Sequence, residues 1–595
     1  MEAPQFQRLA ERDRPVLRFV IDGRACEALA GDTLLTALLT HGRRLRSSDF
    51  GDGPRAGFCL MGACQDCWVA LDDGTRLRAC TSLVTEGMRI VTRSDVDTSV
   101  NDLLTDGRRA APRVPYERAG PSPARIAPSR REGAQRQGCP IMDDRPPIVI
   151  GAGPAGCRAA ATLAAAGLAP IVIDEASASG GQIYRRAPAG FTRPYRTLYG
   201  FDAAKALRLH KAFDGITSSI DYRPDTLVWD LGHGALHCLS GGRSEEVPYR
   251  DVILAPGARD RIIPFPGWTL PGIYTLGGAQ IALKHQGCAI GGRIVFMGTG
   301  PLLYLVAYQY AKAGGGVAAV LDTTPFAAKR RAVPGLLRGG STFAKGLWYV
   351  AALRARGIVM ASGIRPVAAE ENDGAVSALV YRNAAGRERR LACDAVAFGF
   401  GLSSETQLAD LAEVPFTFDS VQQQFLPERD IAGRTPVRGV YLAGDGSGIA
   451  GADAAELAGE RAALALLEDR GHDVDRPRLA ALEGALWQIA SFRVALEAAF
   501  PFPADVAVAM SDETILCRCE GVTAGEFRRE ARALDADEIN RAKAFSRCGM
   551  GRCQGRVCGP AAAIVLAAVL KAAPERMGRL RGQPPVKPIP MAAVT

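Results

Sequence analysis

The stretch Pro147–Gly156, PIVIGAGPAG, is an apolar strand that runs directly into the pattern G-x-G-x-x-G. In this pattern Gly151 makes a tight turn, Gly153 lets the backbone approach a pyrophosphate, and Gly156 allows a helix to pack closely on a strand. A small-residue helix, CRAAATLAAAGL, and a second strand, PIVIDE, follow at once. The stretch therefore predicts a strand–loop–helix–strand unit whose helix N-terminus faces the phosphates of a dinucleotide.

The second strand of this unit ends in two acidic residues, Asp174 and Glu175. Glu175 stands at the spacing from the glycine loop where a carboxylate accepts a hydrogen bond from a ribose hydroxyl. The glycine pattern alone is a weak signal, whereas the complete unit with its acidic end is a strong one. The alternative is a glycine turn that binds no phosphate.

A second unit of the same kind covers residues 293–322, RIVFMGTGPLLYLVAYQYAKAGGGVAAVLD. It has Gly298 and Gly300, but Leu303 stands where the third glycine belongs, and Asp322 ends the second strand. We therefore predict a Rossmann-type fold with an altered site, which NAD(P) or another adenine nucleotide occupies or which is empty. The predicted binding residues of this unit are Gly298, Gly300 and Asp322.

Further segments predict how the two units are connected. Residues 252–261, VILAPGARDR, and 395–408, AVAFGFGLSSETQL, each combine a strand with glycines, and residues 439–466 form a strand, a Gly-Asp pair and a small-residue helix. This order resembles flavoproteins of the glutathione reductase type, in which the second unit is inserted into the first and the Gly-Asp aspartate reaches FAD. The predicted FAD-binding residues are Gly151, Gly153, Pro154, Ala155, Gly156, Asp174, Glu175, Gly181, Gln182, Ala255, Gly257, Gly444 and Asp445.

We predict no catalytic residue in this central region. Enzymes of the glutathione reductase type often carry a redox-active cysteine pair beside the flavin, but here every Cys-x2-Cys or Cys-x4-Cys lies near the chain ends. The chain has six histidines, and His210 and His285 are predicted to be surface or packing residues and not general bases. Disulfide reduction is therefore disfavoured.

Nine of the fifteen cysteines form two groups, and the first group reads Cys59-x4-Cys64-x2-Cys67-x12-Cys80. This is the plant-type ferredoxin spacing, with three thiolates on one loop and a fourth further on. Zinc usually takes two Cys-x2-4-Cys knuckles, and only one is present. Disulfides are not expected, because no apolar leader segment precedes the group. We predict a [2Fe–2S] cluster bound by these four cysteines.

The residues before this group predict the small domain around it. VLRFVIDGRACEAL contains Asp22-Gly23 between alternating apolar runs, which indicates a β-hairpin. We predict that Asp32 caps the N-terminus of a helix, TLLTALLTH, and that Gly42 lies just past its end. A hairpin, a helix, a cysteine loop and a last strand together predict a β-grasp ferredoxin domain.

The second group of cysteines reads Cys517-x-Cys519 and, further on, Cys548-x4-Cys553-x4-Cys558. Cys558 precedes a predicted helix, whose dipole favours a thiolate at that place. We predict a second [2Fe–2S] cluster in a short helical domain, with Cys548 as a surplus candidate and zinc as the alternative metal. The predicted ligands are Cys517, Cys519, Cys553 and Cys558. Because the two groups are far apart in sequence, we expect two independent clusters in separately folded domains.

The composition excludes several functional classes. The chain has 595 residues and a net charge of +9, and eight arginines lie between Arg108 and Arg136 among Pro, Ser, Gly and Ala. This segment has one aromatic residue, Tyr116, and no recognition motif, so we predict no nucleic-acid binding. We predict a linker that is either solvated or bound to an acidic neighbouring surface. No apolar run reaches eighteen residues, so no transmembrane segment is expected. The unpaired-looking cysteines fit a reducing cytoplasm.

The order of motifs resembles a known group of proteins. The ferredoxin loop, GAGPAG, SGGQIYR at 179–185, ILAPGARDRIIPFPGWTLPGI at 253–273, GDGSGIAGA, CRCEGV and GMGRCQGRVC occur in the electron-transfer subunits of multimeric bacterial amine dehydrogenases and oxidases. These include the hydrogen cyanide synthase, opine oxidase, D-hydroxyproline dehydrogenase and heteromeric sarcosine oxidase families. In several relatives the ferredoxin part is a separate subunit, whereas here it is fused to the flavoprotein.

The resemblance implies a hetero-oligomer with a divided task. A partner FAD subunit similar to D-amino-acid oxidase would oxidise the amine, an FMN sits between subunits in some relatives, and this chain would pass the electrons to an external acceptor. It would be cytoplasmic or peripheral at the inner membrane. One alternative is a self-contained NAD(P)H-dependent iron–sulfur flavoprotein reductase. Another is a scaffold that is stabilised by zinc at both ends.

The predicted fold class is multidomain α/β and α+β, and the domain boundaries follow from these motifs. They are a ferredoxin domain at 1–104, a linker at 105–145, an FAD-binding domain at 146–292 and 401–505, an inserted NAD(P)-type domain at 293–400, a helical iron–sulfur domain at 506–580 and a tail at 581–595.

Overall fold

In a computed structural model of the chain, which describes residues 3–92, 145–232 and 234–590, the first glycine unit folds as predicted. Ile148–Ile150 is a buried strand, and Pro154–Ala165 is the helix that follows it. The strand lies in the middle of a five-stranded parallel sheet with the order Asp221–Arg223, Ile171–Ile173, Ile148–Ile150, Val252–Leu254 and Val440–Leu442. The last strand comes from much later in the chain, so two separated segments build this domain.

The second glycine unit forms another five-stranded parallel sheet. Its order is Ile273–Thr275, Ala395–Phe400, Ile294–Thr299, Val317–Asp322 and Val359–Ser362. The sheet begins before the predicted boundary at 293, because Ile273–Thr275 pairs with the crossing strand Ala395–Phe400. Every residue of Ala395–Phe400 and Ile294–Thr299 is buried, as expected for central strands of a parallel sheet.

The chain crosses between these two domains at a small antiparallel pair, Ala258–Asp260 with Leu402–Ser404, which lies within the two predicted crossing segments. Other antiparallel strands are Leu227–Gly232, Ala235–Ser240 and Arg243–Pro248 in one sheet, Arg365–Asn372, Ala375–Arg382 and Glu388–Ala392 in another, and the pair Phe416–Asp419 and Gln424–Pro427. The other helices of this central part are Tyr195–Tyr199, Ala203–Asp214, Leu276–Gln286, Pro301–Lys312, Phe326–Leu336, Ser341–Ala355, Gln407–Leu411, Ala452–Asp469, Arg476–Ala499 and Ala504–Val508.

The N-terminal domain is a five-stranded mixed sheet covered by one helix, Leu34–Leu39. Its strand order is Arg24–Leu29, Val16–Ile21, Arg89–Val91, Trp68–Leu71 and Arg76–Arg78, and Gln7–Arg8 and Arg46–Ser47 are short additional strands that pair with Cys288–Ala289 and Pro54–Arg55. The predicted hairpin is confirmed, since Val16–Ile21 pairs with Arg24–Leu29 across the Asp22-Gly23 turn. The predicted linker, residues 105–145, lies outside the described residues except for its last residue.

The predicted helix cap at Asp32 is wrong. The Thr33 side chain caps the helix by accepting a hydrogen bond from the Thr36 N–H. The Asp32 carboxylate instead forms buried ion pairs with Arg8 (2.5 Å) and Arg14 (2.8 Å). The Asp32 carboxylate therefore binds arginines outside the helix, and the Thr33 hydroxyl caps the helix N-terminus.

The C-terminal domain is small and helical, as predicted. Two short strands, Ile515–Cys517 and Val522–Thr523, precede the helices Ala524–Ala533, Ile539–Ser546 and Gly559–Leu570. The first helix starts with a capping box between Thr523 and Glu526. Residues beyond this domain return to the first nucleotide-binding domain, where Val586 is buried and its N–H donates to Trp229 O.

One helix in the described part of the chain, Arg476–Ala499, is long and apolar enough to cross a membrane by length and composition alone. A single helix of this kind is weak evidence for membrane insertion. Three of its residues, Leu479, Leu482 and Ala499, are buried, and Trp487 is 69% exposed.

Candidate functional site

Three glycines of the first loop have different structural roles. A Cβ on Gly156 would lie 1.7 Å from Gly151 O, and one on Gly151 would lie 2.3 Å from Ala255 O, so the backbone packing forbids a side chain at both positions. A Cβ on Gly153 would meet nothing nearer than Gly181 Cα at 3.7 Å, which is an ordinary contact. Gly153 is therefore not required by internal packing, which agrees with the predicted approach of a pyrophosphate at that residue.

Other predicted FAD-binding residues converge on the same loop. A Cβ on Gly181 would lie 2.8 Å from Gly153 Cα, and one on Gly444 would lie 2.9 Å from Ala155 Cβ. The Asp445 carboxylate accepts hydrogen bonds from the N–H groups of the loop 450–451. Segments that are far apart in the sequence thus form one cradle at the N-terminus of the helix Pro154–Ala165, and its shape fits a dinucleotide.

The two acidic residues after the second strand have separate partners. Asp174 accepts hydrogen bonds from the Ala152 and Ala176 N–H groups, and burial raises its pKa to about 6. Glu175 forms ion pairs with Arg78 (2.8 Å) and with Lys587. Burial would raise the pKa of Glu175, but the charges of Lys587 and Arg78 lower it to about 2.

The pairing of Glu175 with Arg78 was not predictable from the sequence. Arg78 is two residues before Cys80, so the carboxylate that the sequence assigns to a ribose lies beside the first cysteine group. Its assignment to FAD stays a prediction. The contact places the glycine-loop cradle next to the ferredoxin-type domain.

In the second nucleotide unit, neighbouring protein groups bind the carboxylate of the predicted acidic residue. Asp322 is buried, accepts a hydrogen bond from the Tyr304 hydroxyl (2.5 Å) and forms an ion pair with Lys329 (2.5 Å). Its other oxygen accepts from the Thr324 N–H. A ribose would have to displace these partners. Leu303 is also fully buried, so the third glycine is replaced by a core side chain.

The four cysteines of the first group are buried and lie in two pairs. Cys59 is beside Cys64, and Cys67 is beside Cys80. The Cys64 N–H points to the Cys59 sulfur at 3.2 Å, and the Cys80 N–H points to the Cys67 sulfur at 3.4 Å. Four buried thiols with backbone donors at the sulfurs are the donor set that a [2Fe–2S] cluster requires.

The loop also stabilises a thiolate. Burial would raise the pKa of Cys59, but hydrogen bonds from the Cys64 thiol and from backbone N–H groups, including those of Met61 and Ala63, lower it below the usual value for a thiol. A thiolate is the form that binds iron, so the fold prepares this position for a metal.

The second cysteine group brings five thiols together, including one that the sequence left without a role. The sulfurs of Cys517, Cys548 and Cys558 all lie within 4.8 Å of one another. Cys519 lies beside Cys553. Cys558 is the N-cap of the helix Gly559–Leu570, so the helix begins where the sequence predicted it. Cys517 and Cys558 therefore lie in one set that also contains Cys548, and Cys519 and Cys553 form a pair next to it.

The two cysteine groups are not in independent domains, and that expectation is wrong. Phe58, Cys59 and Cys64 share one apolar core with Cys517 and Cys553. Arg518, between two cysteines of the second group, forms a buried ion pair of 2.9 Å with Asp66, between two cysteines of the first. No motif in the sequence indicated this contact, because its two residues come from opposite ends of the chain.

The second group also contacts the central domains through charge. Arg556, which lies between Cys553 and Cys558, forms an ion pair with Glu405 (2.9 Å), and Glu405 also pairs with Arg259 (3.2 Å). Glu405 and Arg259 belong to the two segments where the chain crosses between the nucleotide-binding domains. The C-terminal loop therefore contacts both the N-terminal domain and the segments that connect the two central domains.

Comparisons with known proteins agree with this arrangement. Residues 14–95 match the profile described as "2Fe-2S iron-sulfur cluster binding domain", and residues 146–459 match "Pyridine nucleotide-disulphide oxidoreductase". The chain is 37% identical to the A-type subunit of opine oxidase from Agrobacterium tumefaciens over 461 residues, which cover 75% of this chain and 90% of that one. The chain belongs to the family of these opine oxidase subunits. It is an iron–sulfur flavoprotein.

Two subunits of one further enzyme match this single chain. Hydrogen cyanide synthase subunit HcnB of Pseudomonas aeruginosa is 32% identical to this chain over 465 residues. The matched region covers 75% of this chain and 97% of HcnB. Subunit HcnA of the same organism is 42% identical over 76 residues, which are 13% of this chain and 72% of HcnA. A solved structure, L-proline dehydrogenase from P. horikoshii, covers 99% of both chains with a TM-score of 0.68 and 18% identity, which shows a shared fold alone.

The surroundings of Gly153 and Gly156 predict that an alanine at the first affects FAD binding and an alanine at the second affects the stability of the fold. Gly153→Ala should keep the fold, because the new methyl group has room within the protein, but should weaken FAD retention at least tenfold, or about 1.4 kcal/mol. Gly156→Ala should destabilise the fold itself by about 1–3 kcal/mol, because the methyl group overlaps Gly151 O. Flavin absorbance per chain and thermal unfolding distinguish the two effects. Normal flavin content in Gly153→Ala would show that the pyrophosphate lies elsewhere.

The position of Cys548 predicts that two cysteine substitutions in the C-terminal group affect the iron content differently. The intact protein should contain about four iron atoms per chain if both groups bind [2Fe–2S]. Cys553→Ser should lose about half of this iron, whereas Cys548→Ser should keep it, because Cys558 is placed at a helix N-terminus as the fourth ligand. Iron and zinc analysis of both variants is the measurement. Loss of iron in Cys548→Ser, with retention in Cys558→Ser, would reverse the assignment.

Proposed function

We propose that this protein is the electron-transfer subunit of a multimeric amine dehydrogenase. It would receive electrons from the flavin of a partner subunit, then pass them through FAD and two [2Fe–2S] clusters to an external acceptor. The observation that carries the proposal is the convergence of the glycine-loop cradle and both cysteine groups within one compact unit. The relatives support the amine class, since they include subunits of opine oxidase and of hydrogen cyanide synthase.

The chain's own residues would hold and insulate the cofactors. FAD supplies the conversion between a two-electron donor and one-electron clusters. The loop around Gly153 would take the pyrophosphate, with Gly181 and Gly444 shaping the cradle. The eight predicted cysteine ligands would bind two clusters, and burial of the loops would keep water away from the sulfurs. Backbone N–H groups directed at the sulfurs would raise the reduction potentials.

The amine itself would be oxidised by the partner. Amine oxidation requires a pocket that aligns the substrate with a flavin and a group that handles its proton. His210 is instead held by the Tyr195 hydroxyl and Tyr184 O, and His285 lies against Arg186 O. Burial lowers the pKa of both histidines, and that of His285 to about 3. Both act as neutral packing groups and not as bases for an amine.

The partner would dock on a group of helices that expose apolar side chains. The helices Phe326–Leu336, Ser341–Ala355 and Arg476–Ala499 pack together around a small core that contains Leu336 and Ala499. Large apolar side chains on their outer surfaces are exposed: Val333, Leu337, Leu347, Trp348, Trp487 and Val494. We call these three helices with Leu337 the apolar helix group. We assign it to the partner flavin subunit, since the relatives are named as subunits and large exposed apolar patches mark interfaces. The FMN that the resemblance implies between subunits would lie at that interface.

The division of labour can be tested with and without the partner. The tagged chain is purified from its native host, and associated chains are identified by mass spectrometry. Dye reduction is then measured with opines, glycine, sarcosine and proline-like amines. The complex should turn over at least one of them, and the isolated chain none. Turnover by the isolated chain, or rapid reduction of its flavin by NADH, would contradict the proposal; the second result would support an NAD(P)H reductase.

A surface substitution tests the docking site. Trp487→Glu should leave the fold within about 0.5 kcal/mol of the wild type, because the side chain is exposed. It should weaken the complex by about 2 kcal/mol or more, the usual cost of losing an aromatic anchor. Light scattering of the chain with its identified partner measures the effect. The control is Val421→Glu, an exposed apolar residue in a turn, which should leave the complex intact. Equal affinity of Trp487→Glu and the control would place the interface elsewhere.

A further inference from the structure

The side chain of Arg518 lies buried between the two cysteine groups. It extends from the Cys517-x-Cys519 segment, and only 2% of it is exposed. Its guanidinium pairs with Asp66 at 2.9 Å and lies over the rings of Phe58 (4.5 Å) and Trp268 (5.1 Å). Trp268 is itself fixed, since its indole N–H donates to Ile515 O at 2.7 Å. The guanidinium is therefore held in one place by a carboxylate and two aromatic faces.

Some N–H groups of this guanidinium have no hydrogen-bond acceptor in the described part of the chain. Arg518 Nε and Nη1 are buried and have no hydrogen-bond partner among the described residues. Buried N–H groups without a partner are rare and expensive, so they indicate a missing acceptor. The acceptors that this place would offer are sulfur atoms, because Arg518 stands between Cys517 and Cys519, and its partners Asp66 and Phe58 lie between or next to cysteines of the first group.

We propose that Arg518 is a positioning residue shared by both clusters, with its charge and its free N–H groups directed at their sulfur atoms. This inference rests on the proposed function, because it requires iron–sulfur clusters at both cysteine groups. Arg518 would assist the direct passage of one electron from the reduced cluster to the oxidised one. The cluster that gives up the electron is oxidised, and the cluster that accepts it is reduced. No bond is formed or broken and no proton moves.

The sign of the effect follows from the charges. A reduced cluster carries one more negative charge than an oxidised one, so a nearby buried cation stabilises the reduced state and raises the potential. Asp66 partly offsets this cation, because its carboxylate lies against the guanidinium. Loss of the Arg518 charge should therefore lower both potentials, whereas loss of the Asp66 charge should raise both. A purely structural role gives no reason for opposite shifts.

The test is a redox titration of the full-length protein, followed by electron paramagnetic resonance of both clusters. In Arg518→Gln the ratio of reduced to oxidised cluster at a fixed potential should fall about tenfold at both sites, which is about 59 mV for a one-electron couple. Asp66→Asn should shift both potentials upward. Arg518→Lys keeps the charge and should lie closer to the wild type. The control is Arg470→Gln, which removes a buried guanidinium from its ion pair with Asp251 in the flavin-binding domain and should leave both potentials unchanged.

Each outcome decides the proposal. Unchanged potentials in Arg518→Gln with both clusters present, a shift at only one cluster, or shifts of the same sign in Arg518→Gln and Asp66→Asn would overturn it. If Arg518→Gln loses its clusters, the comparison of Asp66→Asn with the wild type decides, and an upward shift at both clusters supports it. A wild-type protein with zinc, or with one cluster only, would refute the cluster assignment on which the proposed function depends, and the proposal with it.

Discussion

The ion pair between Asp66 and Arg518 is the contact on which the arrangement of the cysteine loops depends. Both side chains are almost completely buried, and each stands between two cysteines of its own group. Removal of one partner from a buried pair typically costs about 3–5 kcal/mol, because the other charge loses its compensation. Asp66 would keep a second partner, Arg46 at 3.4 Å, so the loss of Arg518 costs less than the loss of Asp66. A cost of this size is a large share of the about 5–15 kcal/mol by which domains are stable. The pair therefore fixes the two loops themselves, and not only the domains that carry them.

Similar contacts join the other parts of the molecule. Glu405 lies between Arg259 and Arg556, and Glu175 lies between Arg78 and Lys587. Burial opposes ionisation of Glu405, but the charges of Arg556 and Arg259 lower its pKa to about 2. Both carboxylates are thus charged at neutral pH, and each is shared by two cations from different segments. Arginine suits this role, because its planar guanidinium stays charged and can donate in several directions.

These contacts have a consequence for the proposed electron transfer. A carrier with several cofactors works only if its centres are held at fixed separations, and side chains at the borders of the domains supply that constraint. Here Arg78, Arg518 and Arg556 all lie within the cysteine segments and all reach across to another part of the chain. In the proposed function, the residues next to the predicted ligands would therefore do the positioning, while the cysteines would bind the clusters.

Prediction from the sequence succeeded where neighbouring residues decide the structure. The Asp22-Gly23 hairpin, the glycine loop with its strand and helix, and the helix start at Cys558 all depend on contacts within a few residues. The prediction that Asp32 caps the helix was wrong for the opposite reason. Arg8 and Arg14, which are distant in sequence, form ion pairs with its carboxylate, and Thr33 caps the helix. Cys548 also shows this limit, since its distance from Cys517 depends on how the helices between them fold.

The sequence by itself determined the modules of this protein: a ferredoxin-type cysteine loop, two dinucleotide units with one inserted into the other, and a C-terminal cysteine group. Spacing and local periodicity encode these features, because each motif lies within a short segment. The tertiary structure alone decided how the modules meet. It placed Asp66 against Arg518, Arg78 against Glu175, and Lys329 against the Asp322 carboxylate that would otherwise receive a ribose. Such pairs join residues from distant segments or separate elements, and only the packing of the whole chain brings their charges together and excludes water from them.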